Sequence, residues 1–416
     1  MDAAGIYPPV FYSVLSVFVN SDVAFSVAVI RMANALLATA LLTVVFWVLP
    51  RFARTPFVVS LAVTIVPLGL FILPSTNPSS WALLSAAIVW VTMWAAYLVR
   101  GRRQWALAAL AVIGGVVGAG ARADAAAFAV FAVLLAAVLG LRKLRASVLP
   151  LAASATVIAV SAVSYLGSGQ SSAVISGLSN DRPPLTLAQH AQNLLDLPEL
   201  WIGAVGASGL GWLDTSMPSL VWVITTVALG SAVVLSIRGM SGRRLCATLL
   251  AFAAIWIVPF VLLAQSNTTV GSQVQPRYIL PLLIILAGVA AASVHAPHWW
   301  RGGRAYVTAA ALAVAAAVAL HTNVRRYTTG VDSWSVDPGA GAEWWWAAVL
   351  SPVVIWVVGS LSFAILLGIV AYIVTAESRT LAEEKIASFA SDSDGADAPD
   401  TVSTFALSRR NAPDGI

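Results

Sequence analysis

Residues 79–104 read SSWALLSAAIVWVTMWAAYLVRGRRQ, and they decide the fold. From Ser79 to Val99 there is no charged residue. A helix needs about 20 apolar residues to cross the hydrocarbon of a bilayer. Arg100, Arg102 and Arg103 follow at once. Basic residues near the end of a span are retained on the cytoplasmic side. The stretch therefore predicts a transmembrane helix that ends at the cytoplasmic face.

Working outward, apolar runs near 23–49, 56–73, 105–121, 125–141, 147–167, 217–237, 245–264, 278–294, 305–321 and 347–374 predict further spans, about eleven in all. The connections 50–55 (PRFART), 100–104 (RGRRQ), 142–145 (RKLR), 238–244 (RGMSGRR) and 301–304 (RGGR) are basic and contain no acid. They alternate with acidic or mixed connections at 74–78, 122–124, 168–216, 265–277 and 322–346. That alternation threads the chain with the basic loops and the C-terminus in the cytoplasm. The expected fold is an all-α polytopic transmembrane bundle over 23–376, in the plasma membrane and surrounded by its lipids.

Composition agrees. Of 416 residues, 59% are hydrophobic and 10% charged, with mean hydropathy +0.88. A soluble domain carries about 25% charged residues. The net charge of +5 resides in short arginine clusters between spans, a topology signal and no sign of nucleic acid. Cys246 is the only cysteine, so the chain forms no internal disulfide.

The ends read differently. Residues 1–22 lack the basic start of a signal peptide, and 8–20 are too short to span, so they are expected to lie along the outer interface. An outer N-terminus without a leader suggests a preceding helix, and about twelve in the whole bundle. From Glu377 to Ile416 the sequence is rich in Ser, Asp, Ala and Pro, which predicts a disordered cytoplasmic tail.

Ionisable groups in or beside spans are functional candidates. Arg31 lies in the first span, one turn before Asn34. GARADA places Arg122 and Asp124 at the outer end of a span; two residues apart, they do not share a helix face. Asp124 suits the start of the return helix, where the dipole favours an anion. Gly114 and Gly118 make a close-packing pattern. In 168–216, PLTLAQHAQNLLDLPELWIG predicts an amphipathic helix on the outer leaflet. QVQPRYILPLL brings Arg277 and Tyr278 to the outer interface, and Glu343-Trp-Trp-Trp reads as an aromatic belt. His295 and His298 lack further ligands, so no metal site is expected.

YPPVFY near the N-terminus, Arg31, Asn77 after a proline, GARADA, GLGWLDTSMP and QPRYILPLL occur together in this order. Over roughly residues 5–320 the chain resembles the DUF2142 family of bacterial membrane proteins, which is itself similar to the GT-C glycosyltransferase superfamily. The resemblance implies transfer of a sugar from a polyprenyl-phosphate donor to an envelope glycan or lipid. It implies an acidic residue of the first outer loop as base, for which only Asp2 and Asp22 flank YPPVFY. It implies substrate-binding roles for Arg31, Asn77, Arg122, Asp124, Asp214, Arg277 and Tyr278, with no cofactor indicated. A flippase for lipid-linked sugars would instead need polar groups near the bilayer midplane, where this sequence has Ala, Val and Leu. A scaffold without chemistry is the third possibility.

Overall fold

The computed structural model describes residues 7–169, 182–210, 214–237, 239–300, 302–330, 332–346 and 350–394. Its helices are α1 (Pro9–Ser16), α2 (Val23–Val48), α3 (Arg51–Ala62), α4 (Leu68–Ile72), α5 (Ser79–Leu98), α6 (Arg102–Ala119), α7 (Ala123–Gly140), α8 (Val148–Leu166), α9 (Leu187–Ala204), α10 (Ser219–Ser236), α11 (Gly242–Gln265), α12 (Leu280–Ala291), α13 (Ala296–Trp299), α14 (Gly303–Thr329) and α15 (Pro352–Asp394). Among the described residues, eight helices are long and apolar enough to cross a membrane: α2, α5, α7, α8, α10, α11, α14 and α15.

Three expected spans differ from that set. The run at 56–73 is interrupted between α3 and α4, where Pro67 removes a donor and disfavours helix in the residue before it. The run at 278–294 begins with a 3₁₀ turn, Pro276–Tyr278, and leaves only the short α12. The third, α6, is a full helix, but Arg102 and Arg103 occupy its first turn. At the other end, the sequence predicts an unstructured tail from Glu377, whereas α15 continues to Asp394; residues 395–416 lie outside the described residues.

The core forms around α5 and α12. Every residue from Ser79 to Tyr97 is buried, and so is all of α12. These two helices pack on each other and are wrapped by α3, α6, α7 and α11. Lipid tails are as apolar as leucine, so such helices are held by close packing rather than by expulsion from water. Small residues make the closeness possible. A Cβ on Gly288 of α12 would meet Trp90 Cζ2 at 2.3 Å, and one on Gly118 would meet Ser85 at 2.4 Å. Gly114 likewise faces Ile88, so the Gly114/Gly118 pattern does seat α6 on α5.

Contacts sort the helix ends into two sets. At one end Phe11 N–H donates to Gly120 O (3.1 Å), Asn34 Nδ2 to Ser75 O (2.7 Å) and Asn193 Nδ2 to Thr268 O (2.9 Å). At the other, Arg54 pairs with Glu377 (3.0 Å) and Gly302 N–H donates to Thr375 Oγ1 (3.2 Å). This second end carries the basic loops, and their arginines have a local task. Helices α2, α5, α7 and α10 all finish there, each with carbonyls that lack a partner within the helix. Arg54 Nε donates to Phe46 O and Leu49 O (both 3.1 Å), Arg100 to Val99 O (2.9 Å), and Arg244 to Ser236 O (2.8 Å). Arg243 reaches Leu141 O. A cation at a helix C-terminus is further favoured by the dipole.

The two segments expected at the outer interface both contain a helix. Phe11 and Leu15 of α1 are buried against the bundle, while Val14, Val17 and Val19 are exposed. Helix α9 forms where the amphipathic reading placed it. Thr186 and Gln189 start it with a reciprocal capping box, and Asn193, Leu197 and Leu200 form its buried face.

Candidate functional site

The polar residues that come together do so at the end opposite the basic loops, where the α6–α7 hairpin turns. Arg122 holds the N-cap position of α7 in an extended conformation (φ −152°, ψ 144°). It is outside the helix, so the rule that separates side chains two apart on a helix does not govern it. Its guanidinium folds back onto Asp124 of the first turn: Nε to Oδ1 2.8 Å, Nη2 to Oδ2 2.7 Å. A forked pair of this kind is among the stronger charge-assisted contacts. Asp124 Oδ1 also accepts from Ala125 N–H (2.8 Å), so the same carboxylate serves the helix start.

Around this pair lie parts of three other segments. Arg122 Nη1 approaches Ser79 Oγ at 3.4 Å, at the start of α5. The Tyr278 ring lies under the Arg122 guanidinium at 5.0 Å and under the Arg277 guanidinium at 5.5 Å. Tyr7, at the head of α1, lies close enough to interact electrostatically with Arg122. Two guanidiniums and one carboxylate leave the cluster with a net positive charge. Arg122 is only 7% exposed, and in such surroundings a charge–ring contact is worth about 2 kcal/mol.

The remaining candidates occupy other places. Asp22 caps α2, accepting from Phe25 N–H at 3.0 Å. Asp2 lies outside the described residues, as do Gly211–Leu213 of the GLGWLDTSMP fragment. Arg31 is exposed on α2. Its neighbour Asn34 makes the buried contacts, donating to Ser75 O and accepting from Trp81 Nε1 at 3.0 Å. Asn77 accepts from Ser79 N–H (2.9 Å), an Asx turn that starts α5 and so fixes the serine beside Arg122. Asp214 pairs with Arg326 at the end of α14, and none of its described contacts reaches Arg122. That arginine holds the Asp214 carboxyl below the usual carboxylate range, chiefly by hydrogen bonding.

Sequence reasoning missed two parts. Ser79 and Tyr7 join the Arg122 cluster with no charge to flag them, although Tyr7 begins YPPVFY. It also missed a polar knot at the end of α14, where the predicted span stops too early. Arg325 is buried there and donates to Ala340 O (2.8 Å) and Ser333 Oγ, while Thr328 Oγ1 donates to Pro338 O (2.8 Å). These bonds tie the 332–340 loop to the helix.

Among the described residues, eight candidate spans, one of which (α5) forms a fully buried pair with the short α12, and a compact ionic cluster at one end define a polytopic helical membrane protein. Residues 1–286 match the model of the family described as "Predicted membrane protein (DUF2142)", and the chain belongs to that family. No curated protein and no solved structure matches the chain.

Proposed function

We propose that this protein is a GT-C-type glycosyltransferase of a bacterial plasma membrane, with its C-terminus cytoplasmic. It takes a sugar from a polyprenyl-phosphate donor at the extracytoplasmic face and passes it to an envelope glycan or lipid. The observation that carries this reading is the Arg122–Tyr278–Arg277 cluster at the end opposite the basic loops. Guanidiniums match the oxygens of a phosphate, and Tyr278 holds the two of them near one place. In the reaction, the acceptor hydroxyl gives its proton to a carboxylate, and its oxygen bonds to the anomeric carbon. The bond from that carbon to the phosphate oxygen breaks, and its electron pair leaves with the polyprenyl phosphate. Arg122 and Arg277 stabilise that developing charge.

Asp124 does not suit the base, because Arg122 occupies both of its oxygens. Asp22 and Asp2 keep that assignment. The absence of ionisable side chains from α12, and from α5 apart from Tyr97, favours an interfacial enzyme over a flippase, which would bind its cargo near midplane.

The test is a gene deletion followed by analysis of envelope glycans. A sugar should disappear and return with the wild-type gene, but not with Arg122→Ala or Arg277→Ala. Asp22→Asn separates cap from base: asparagine caps as well as aspartate, so fold persists while turnover falls if Asp22 is the base. An unchanged glycan profile with no accumulating donor overturns the proposal.

A further inference from the structure

Helix α14 starts at the basic end, beside Gly302, and finishes at the other end with Thr329. The loop that follows holds four of the chain's 16 tryptophans: Trp334, Trp344, Trp345 and Trp346. It lies beyond residues 1–286, the part that the family model matches. The sequence alone reads Trp344–Trp346 as an aromatic belt. A belt residue projects sideways from a span into the headgroup layer. These rings sit on a loop fastened over the end of α14. Glu343 N–H and Trp344 N–H both donate to Thr328 O (2.7 and 3.3 Å), and Trp345 Nε1 donates to Leu350 O (3.0 Å). The rings brace one another: the Trp346 centroid lies 4.4 Å from that of Trp344, 5.0 Å from Trp345 and 6.4 Å from Tyr327. Even so, Trp344 is 54% exposed and Trp346 44%.

Charge decides what such a surface can meet. From 331 to 350 the sequence has Asp332, Asp337 and Glu343 and no basic residue. Aromatic segments that bind a membrane surface carry lysine or arginine to meet its headgroups. Three carboxylates repel anionic headgroups, and they repel a phosphate on any other ligand. A neutral saccharide suits both features. One face of a pyranose is a patch of C–H bonds, whose hydrogens carry partial positive charge and stack on the negative face of an indole. Its rim of hydroxyls donates to carboxylates, and Glu343, next to Trp344, is exposed to accept such a bond. Rings already fixed lose little freedom on binding. A chain of contacts also links this patch to the Arg122 cluster. Arg326, over the Tyr327 ring at 5.2 Å, pairs with Asp214 in the segment after α9. The last turn of α9 abuts Pro276, the residue before Arg277: a Cβ on Gly203 would meet Pro276 Cγ at 2.7 Å.

We propose that Trp344, Trp346 and Glu343 bind a neutral oligosaccharide at the end opposite the basic loops. That this saccharide is the acceptor glycan rests on the glycosyltransferase reading. Saturation-transfer NMR on the full chain in lipid nanodiscs tests the site. The probe is the short neutral oligosaccharides released from the source organism's envelope by partial acid hydrolysis. Saturation should pass from the protein to sugar C–H protons. The double variant Trp344→Ala/Trp346→Ala should weaken binding about tenfold. If it does not fold, Trp344→Ala alone decides. Glu343→Gln should weaken binding less, because the amide oxygen still accepts. Arg277→Ala, which stops the proposed transfer, should bind the saccharide as the wild type does, so binding and catalysis fail separately. Quenching by lipids brominated in their acyl chains reads the competing outcome, rings sunk in the leaflet. Removing the two rings should raise the quenched share of fluorescence, because they lie outside the lipid. No saturation transfer from the wild type, transfer indifferent to the alanine variants, or a fall in the quenched share overturns the proposal.

Discussion

Arg122 and Asp124 show what one displaced residue does. Removing the acid leaves a buried cation with no anion beside it among its described contacts, which are then the Tyr278 ring, Tyr7 and a distant hydroxyl. Breaking such a pair costs about 3–5 kcal/mol when buried, and Asp124 is partly exposed, so Asp124→Asn should lose about 2–3 kcal/mol. Unfolding in mixed micelles would measure it, and an unchanged midpoint would mean the pair does not hold the turn. This pair was half legible in the sequence. The arginine and aspartate stand out as charges, but their contact depends on Arg122 leaving the helix, which composition does not announce. Asp214 makes a different prediction. Its folded carboxyl is shifted down, so its pairing with Arg326 contributes above the ordinary value and is lost as pH falls through the folded one. A thermal scan should therefore show a small loss below about pH 4 that Asp214→Asn removes.

The helices themselves were the most legible layer, because length and hydropathy are local properties. The expected 79–99, 125–141 and 147–167 agree with α5, α7 and α8 to within about two residues. The failures have physical causes. Pro67 divides one run, the 3₁₀ turn at Pro276 shortens another, and the knot around Arg325 carries α14 past its apolar stretch. Which helix lies at the centre was not readable, since α12 is short and α5 resembles its neighbours. The close approach between them at Trp90 depends on a missing side chain, that of Gly288. Gly288→Ala places a carbon 2.3 Å from Trp90 Cζ2, and overpacking of this kind costs about 1–3 kcal/mol. The same assay should show the loss, and recovery with Trp90→Leu in the double mutant would confirm the cause.

For the whole molecule, the partition of contacts into two ends predicts which loops share a side of the membrane. In a Cys246→Ser background, a cysteine at exposed Leu144 and one at exposed Ala342 should react with an impermeant thiol reagent from opposite sides. Labelling of both from one side would refute the threading. The grouping of the basic loops at one end was legible from arginine alone, whereas the gathering of Ser79, Arg122 and Tyr278 was not, because it requires separate segments of the chain to return to one place.

The capping arginines carry a last consequence. Of the 23 basic residues only two are lysine. For insertion the two residues are equivalent, since the translocating machinery counts positive charge. For a planar, forked guanidinium that holds the carbonyls at a helix end, two of them in the case of Arg54, they are not. Lysine replacements at Arg54, Arg100 and Arg244 should therefore yield protein that enters the membrane the right way round and is then cleared by quality control. The address would be read correctly, and the defect would appear only as a shortened lifetime.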